Sequence, residues 1–217
     1  MLDRQPIRSP TELSPVNLLL ATHNEHKRRE FARLLPGHEV DVLPPQFELP
    51  PEDGETFAEN ALGKARAAAR ATGAVTIADD SGIEAQALGG APGVRSARYA
   101  GEHASDEENL AKLLHEAAAG SGLAYVCALV YVDPQAGVER VFEARCTGTL
   151  AAQPRGAGGF GYDPAFVPDE KVWVSPSPST PESSQTPTMA ELSDERKDAI
   201  SHRGRAARTL LEWLRTG

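Results

Sequence analysis

The stretch TIADDSGIEAQALGGAPGVRSARYAG, residues 76–101, carries an apolar run into two adjacent carboxylates and then into a glycine-rich loop with two arginines. The apolar residues AVTIA, 74–78, predict a strand that delivers Asp79 and Asp80 at its end. Neighbouring residues point to opposite sides of a strand, so we expect one carboxylate to face a cleft while the other supports the loop. Two interpretations stay open: an ordinary Asp-Ser-Gly turn, or a carboxylate that binds a metal ion.

Helix and strand patterns alternate on both sides of this stretch. Capping boxes predict two helix starts, at Thr56 with Glu59 and at Ser105 with Glu108. Strands are predicted at 16–21, 74–78, 123–132 and 138–148, and helices within 24–37, 56–73, 105–120 and 201–215. The last two strands are separated only by DPQAG and form a hairpin. Because helices interleave with strands before a hairpin intervenes, the predicted fold is α/β with a mixed sheet.

Composition limits the possible functions. The chain has 217 residues, a net charge of -9 and a pI near 5.2, which disfavours non-specific binding to nucleic acid or anionic membranes. Its two cysteines, Cys127 and Cys146, are interpreted as core residues in a reducing compartment. No signal-peptide or membrane-spanning run is recognisable, so we predict a cytoplasmic protein. Residues 1–15 are interpreted as a flexible leader, 16–217 as one domain, and 175–187 as a mobile Pro/Ser-rich loop.

A phosphate site is one interpretation of ATHNEHK, residues 21–27, which lead from the first strand into a helix N-terminus. Asn24 and Lys27 would add donors there; the alternative is a helix cap with solvated charges. A carboxylate that faces phosphates would repel them unless a divalent cation lay between, and oxygen ligands favour Mg²⁺.

Three further segments have both a functional and a structural interpretation. Asn60 and Lys64 share a helix face, although a surface lysine is the alternative. In GAGGFGYDP, residues 156–164, an aromatic ring could lie over a base or belong to the core. The SHRG segment, 201–204, could donate hydrogen bonds to a ligand or cap a helix. The basic residues within 196–208 also suggest a nucleic-acid patch, which the acidic composition disfavours.

Taken together, these segments resemble the inosine triphosphate pyrophosphatase family, and the resemblance spans about residues 17–215. It rests on five stretches in the family's order: LLLATHNEHKRREF, GETFAENALGKARAAA, IADDSGIEAQALGGAPGVRSARYAG, GGFGYDPAF and AELSDERKDAISHRGRA. The resemblance implies hydrolysis of non-standard purine nucleoside triphosphates (dITP, ITP, XTP) to the monophosphate and pyrophosphate. It also implies an elongated mixed sheet with helices that form two lobes around a cleft, and a homodimer.

The resemblance also implies roles for particular residues. Asp80 is implied as the proton acceptor and, with Glu52, as a Mg²⁺ ligand; Lys64 is implied to contact phosphate. The implied substrate-binding residues are Thr22, His23, Asn24, Glu25, His26, Lys27, Ser81, Phe160, Gly161, Tyr162, Asp163, Lys197, His202 and Arg203.

Selectivity for 6-keto purines is expected from donors on His202 and Arg203, which would meet the adenine amino group unfavourably, with guanine excluded by crowding at its 2-amino group. The chain departs from the family pattern at His23, where Gly or Asn is frequent, at the long 175–187 loop, and in its leader. The alternatives are a pyrophosphatase for pyrimidine or modified nucleotides, a nucleotide-binding regulator without hydrolysis, and a nucleic-acid-binding module.

Overall fold

A computed structural model describes residues 15–170 and 186–216 of the chain. The predicted leader, 1–15, and the predicted mobile loop, 175–187, therefore lie almost wholly outside the described residues. None of the helices in the described part is long and apolar enough to cross a membrane.

A mixed sheet of six strands forms the centre of the described fold, in the spatial order β2-β1-β3-β4-β5-β6. β1 pairs in parallel with β2 and β3, and the later neighbours pair antiparallel. The predicted α/β class, mixed sheet and hairpin are confirmed. The strands are β1 Asn17–Leu20, β2 Glu39–Val42, β3 Thr76–Ala85, β4 Gly122–Asp133, β5 Val138–Leu150 and β6 Phe166–Pro168.

Helices flank both faces of this sheet. On one face, the alanine-rich side of α2 packs against β3 and β4; on the other, α1 and α5 pack through Phe31, Ala207 and Leu210. Cys127 and Cys146 are free and buried, as predicted. The helices are α1 Glu25–Leu34, α2 Phe57–Thr72, α3 Asp106–Glu116, α4 Asp194–Ile200 and α5 His202–Thr216.

The third strand differs from the prediction. β3 continues through Ala85, so Asp79 and Asp80 lie in its middle, opposite Leu129 and Ala128 of β4, and not at its end. The interpretation of this sequence as a turn is therefore wrong. Asp, Ser and Gly are poor strand formers, but continuous antiparallel pairing with β4 overrides that local preference.

The glycine-rich loop after β3 folds back onto the strand. Gly82 makes this possible, because a Cβ on it would lie 2.4 Å from the Ser96 Oγ. That hydroxyl accepts a hydrogen bond from the Ile83 N–H at 2.8 Å. Arg98, one of the two arginines of the loop, donates to the Glu52 carbonyl at 2.7 Å and so fixes the segment that precedes α2.

A tight junction between α4 and α5 depends on Gly204. A Cβ at this residue would lie 1.8 Å from the Asp198 carbonyl oxygen, which is backbone and cannot rotate away. The junction sets the direction from which the first residues of α5 enter the centre of the protein.

We expect Gly204→Ala to lower the free energy of unfolding by about 1–3 kcal/mol, because the added methyl must displace backbone. Gly63→Ala is the matched control: Gly63 is exposed within α2, and a methyl group added there would meet no atom within 4 Å. The free energy of unfolding of that variant should rise by roughly 0.5–1 kcal/mol, because alanine has a higher helix propensity than glycine. Urea denaturation measures both, and equal effects at the two glycines would contradict the steric explanation.

Candidate active site

A cavity of about 290 Å³ opens where the β1–α1 loop, β3, α2, the 156–164 loop and the start of α5 meet. Of the sequence-predicted site residues, Glu25, His26 and Lys197 do not line it. Those that do are Thr22, His23, Asn24, Lys27, Glu52, Lys64, Asp80, Ser81, Phe160, Gly161, Tyr162, Asp163, His202 and Arg203.

The β1–α1 loop is shaped by its helix cap. The Asn24 Oδ1 accepts hydrogen bonds from the backbone N–H groups of His26 at 2.9 Å and Lys27 at 3.1 Å. The capping interpretation is therefore correct for Asn24, and the capped first turn of α1 brings the cationic side chain of Lys27 to the cavity. The His23 ring forms a hydrogen bond with the Phe47 carbonyl oxygen at 2.8 Å. The histidine at this position, where the family frequently has Gly or Asn, therefore has a hydrogen-bond partner in this chain.

Asp79 is fully buried and is compensated by two cations. Its Oδ2 lies 3.0 Å from the Lys27 Nζ and 3.1 Å from the Arg203 Nε, and it accepts from the Ser81 hydroxyl at 3.1 Å. Burial alone would raise the pKa of Asp79, but Lys27 and Arg203 hold that pKa well below its ordinary value. Asp79 is therefore an anion at neutral pH that fixes residues from α1 and α5.

Asp80 points to the opposite side of β3 and lines the cavity, as the predicted alternation requires. Its Oδ2 accepts from the Asn60 side-chain amide at 3.0 Å, and its Oδ1 lies 3.8 Å from the Lys64 Nζ. Burial raises the pKa of Asp80 above its ordinary value, against the opposing effect of Lys64. Asp80 thus holds a proton more readily than an exposed aspartate.

Lys64 is buried, so its interpretation as a surface lysine is wrong. Its ammonium group contacts the Glu52 carboxylate and donates to the Asp79 carbonyl at 2.7 Å. Burial lowers the pKa of Lys64, but the neighbouring carboxylates outweigh this effect and raise the pKa overall. Lys64 therefore stays charged, and it is held at the cavity between Glu52 and Asp80.

A second buried cluster borders the cavity, because Asp163, Arg203 and Tyr125 belong to both. The Lys197 Nζ contacts Glu30 at 2.7 Å and Asp163 at 2.8 Å, and Arg203 contacts the other oxygen of Glu30 at 3.1 Å. The Tyr125 hydroxyl donates to Asp163 at 2.9 Å. Lys197 is thus paired within the protein, and its position favours support of the site over direct contact with substrate.

The two aromatic residues of the 156–164 loop lie in different environments. Tyr162 is buried and donates its hydroxyl hydrogen to the Ser96 carbonyl at 2.7 Å, so the core interpretation holds for its ring. Phe160 is only partly buried, and it lines the cavity. The Phe160 ring stacks on His26, with centroids 4.9 Å apart and an interplanar angle of 21°.

His202 presents a neutral imidazole to the cavity. Its ring is stacked on Tyr125, with centroids 4.7 Å apart and an angle of 9° between the planes. Burial, together with Arg203 and Lys197, lowers the pKa of His202 well below its ordinary value. Its Nδ1 is buried without a hydrogen-bond partner among the described residues.

The ion pairs around the cavity form two groups: Lys64 pairs with two carboxylates, whereas the other three cations pair with three. Four cationic side chains meet five carboxylates: Lys27, Lys64, Lys197 and Arg203 against Glu30, Glu52, Asp79, Asp80 and Asp163. A polyphosphate that enters this cavity therefore meets carboxylates that the protein's own cations do not fully neutralise.

The donor set suits a cation that is shared with a substrate. Within 15–170 and 186–216, no group of three or more His, Cys, Asp and Glu side chains is arranged to hold a metal ion. Glu52 and Asp80 both line the cavity and both face Lys64. Mg²⁺ characteristically takes one or two protein carboxylates and completes its octahedron with phosphate oxygens and water. The pair fits such a site.

Sequence reasoning missed several residues that the site uses. Glu30 lies in the charged run KRRE of α1, where nothing in the sequence separates it from a solvated residue. Tyr125 lies in an apolar strand and resembles an ordinary core residue. Asp106, at the start of α3, accepts a hydrogen bond from the Gly161 N–H at 2.9 Å. In the sequence it resembles an ordinary acidic residue in the first turn of a helix.

Comparison with known proteins identifies the family of this chain. The model of the Ham1 family matches residues 18–213. The chain belongs to the Ham1 family. It is similar to the Ham1 protein of Staphylococcus aureus, with a TM-score of 0.74 and 36% identity over 92% of this chain and 98% of that one. It is also similar to a HAM1 protein from Coxiella burnetii, with a TM-score of 0.75 and 36% identity over 93% and 100% of the two chains.

The chain is also similar to proteins that carry a functional name. A protein named dITP/XTP pyrophosphatase from Corynebacterium efficiens is 43% identical over 209 residues, which cover 90% of this chain and 96% of the relative. A protein of the same name from Yersinia pseudotuberculosis is 46% identical over 211 residues, which cover 91% and 98%.

We expect Asp79→Asn to destabilise this Ham1-family chain at neutral pH, because it leaves Lys27 and Arg203 without their shared anion. Removal of one partner of a buried ion pair costs about 3–5 kcal/mol. The depressed pKa of Asp79 stabilises the folded state above the unfolded-state pKa of about 3.9, and this contribution is lost as pH falls through the folded-state pKa.

Urea unfolding from pH 7 to pH 3 measures this dependence. The difference in unfolding free energy between wild type and Asp79→Asn should shrink below about pH 4. Asp41→Asn, on the exposed side of β2, is the control and should match wild type throughout. A difference that does not vary with pH would show that the lost charge is not its cause.

Proposed function

We propose that this chain hydrolyses the non-standard purine nucleoside triphosphates dITP, ITP and XTP to the nucleoside monophosphate and pyrophosphate. The observation that carries the proposal is a single cavity in which Asp80, Lys64 and Lys27 lie together with Phe160 and His202. Polyphosphate-binding cations and a base-sized aromatic platform thus belong to one site. The names of the Corynebacterium and Yersinia relatives support this activity.

At the phosphate end, Lys27, Lys64 and Ser81 are the proposed contacts. Both lysines are already paired with carboxylates, which fixes their ammonium groups without removing their charge. Glu52 and Asp80 would hold a Mg²⁺ ion, which supplies charge neutralisation for the polyphosphate and polarisation of its oxygens when bound. A bound Mg²⁺ ion would thereby balance the excess negative charge of the Glu52 and Asp80 carboxylates.

The proposed reaction is attack of water on the α-phosphorus. Asp80 accepts a proton from the water, the water oxygen forms a bond to phosphorus, and the bond from phosphorus to the bridging oxygen breaks to release pyrophosphate. The position of Asp80 supports its role as base, because its carboxylate lines the cavity and a positioned carboxylate can accept a proton from water. Asn60 keeps the carboxylate oriented through its hydrogen bond to Oδ2.

At the base end, Phe160 is the proposed stacking surface, while His202 and Arg203 are the proposed donors to the purine O6. Three N–H groups of Arg203 are engaged by Asp79, Glu30 and Ser81. A guanidinium has five N–H groups, so among the described residues one N–H on each terminal nitrogen has no partner. His202 is neutral and can present one ring N–H. Adenine carries an amino group at this position. Its N–H groups would meet the N–H donors of His202 and Arg203, and no hydrogen bond could form between them.

The homodimer and the cytoplasmic location inferred from the sequence stay predictions. The same holds for the division into a leader and a single two-lobed domain.

A nucleotide panel tests the proposed function. We expect dITP, ITP and XTP to be hydrolysed at least about a hundredfold more efficiently than dATP, because a mismatched hydrogen-bonding site rejects its ligand on this scale. The same margin is expected over dGTP, because of crowding at the 2-amino group of guanine. Coupled detection of pyrophosphate and chromatography of the monophosphate measure kcat/KM, and a chelator should abolish turnover. Equal rates across the panel would contradict the selectivity, a pyrimidine preference would indicate the related activity, and binding without product would indicate a regulator.

We expect Asp80→Asn to lower kcat by about 10²–10⁴-fold, since the amide cannot accept the proton from water. The side chain keeps its size and one oxygen, so the melting temperature should stay close to that of the wild type. Asp41→Asn serves as the exposed control and should keep the wild-type rate. A near-normal rate in Asp80→Asn with an intact fold would exclude Asp80 as the base.

A further inference from the structure

We propose that His26 is a positioning residue for nucleobase recognition: its imidazole supports the Phe160 ring from the side away from the cavity. The ring of Phe160 is thereby held ready to stack on a purine. This inference deepens the proposed function and rests on it, because it concerns the base-binding end of the same site. It assigns His26 to the base end, whereas the family resemblance implies only that it belongs to the substrate-binding residues.

The stacking geometry is the first observation. The two rings are nearly parallel, at 21°, and their centroids are 4.9 Å apart, within the range of favourable offset stacking. Phe160 lines the cavity and His26 does not. Since a ring has two faces and His26 covers one of them, we infer that His26 lies behind Phe160 as seen from the cavity.

The backbone around Phe160 explains why such support is needed. Gly159 and Gly161 flank it with φ values of +69° and +60°, and the main chain is fixed by Phe160 N–H donation to Asp163 at 3.0 Å and Gly161 N–H donation to Asp106 at 2.9 Å. These bonds fix the position of the Phe160 Cα but leave its side-chain torsions free. The ring orientation therefore depends on its side-chain neighbours.

Those neighbours are one aromatic ring and two cations. Besides His26, the Lys197 Nζ lies 5.2 Å and the Arg203 guanidinium carbon 5.1 Å from the Phe160 ring centroid. Both cations are held by buried carboxylates and serve other contacts. His26 is exposed, and the stack on Phe160 is the contact its ring makes among the described residues.

The position of His26 also joins the two ends of the site. It is the second residue of α1, its N–H is capped by Asn24, and the next residue is Lys27, whose ammonium group lies at the phosphate end. One turn of helix thus carries both a phosphate-binding cation and the support of the base platform. A nucleotide that contacts both ends benefits from their fixed separation, whereas a ligand without a base does not.

Affinity measurements on the complete chain test this role. The probes are a dITP analogue with a methylene group between the α- and β-phosphorus, which cannot be cleaved there, and inorganic tripolyphosphate, both titrated calorimetrically with Mg²⁺. We expect His26→Ala to lower the affinity for the analogue by about two- to tenfold, the scale of one aromatic stack, and to leave the affinity for tripolyphosphate unchanged. In turnover of dITP, the variant should raise KM while kcat stays within about twofold.

Three further variants make the test specific. His26→Phe keeps a ring in place and should restore the affinity for the analogue. Phe160→Ala alone should lower the affinity for the analogue. The double variant of His26→Ala and Phe160→Ala should bind the analogue no more weakly than Phe160→Ala, because the support acts only through that ring. His115→Ala removes an exposed histidine at the end of α3 and should behave as wild type.

The outcomes separate the inference from the proposed function. Unchanged affinity for the analogue in His26→Ala, an equal loss for tripolyphosphate, no rescue by Phe, or additive losses in the double variant would each overturn the role of His26. Failure of wild-type chain to convert dITP would instead overturn the proposed function, while the analogue titrations would still report whether His26 acts through Phe160.

Discussion

The full burial of the Asp79 carboxylate is the constraint on which the rest of the site depends. An unpaired charge in the middle of a central strand would cost several kcal/mol or more, so the fold must bring cations to it. Lys27 arrives from α1 and Arg203 from α5, while the Asp79 carbonyl holds Lys64 of α2. One buried residue thereby fixes side chains from three helices, and these side chains are the cations that the proposed reaction requires.

Asp79 and Asp80 show how environment separates two identical side chains. They are neighbours in β3 and point to opposite sides of the strand. Two cations lower the pKa of Asp79, which makes it an anion at neutral pH with a positioning role. Asp80 has an amide partner and a lysine that it shares with Glu52, and burial raises its pKa. Of the two, the carboxylate that faces the cavity is the one proposed as the base.

Local signals in the sequence predicted much of the fold. The capping boxes at Thr56 and Ser105 mark the starts of α2 and α3, and the two long strands joined by DPQAG form the hairpin. The extent of β3 was not predictable in this way, because its ladder with β4 supports residues that are poor strand formers. The short strand β2 was also missed, since its four residues, EVDV, have only half-buried alternation.

The sequence by itself determined the α/β class, the starts of α2 and α3, the family resemblance and most of the residues that reach the cavity. These properties depend on caps and periodicities that act within a few residues along the chain. Only the tertiary structure decided the partner of each charge and the direction of each pKa shift. The Arg203 contacts with Asp79 and Glu30 join residues that are 124 and 173 positions apart. Electrostatic energies follow distance and burial in space, and neither quantity is encoded in the spacing of residues along the chain.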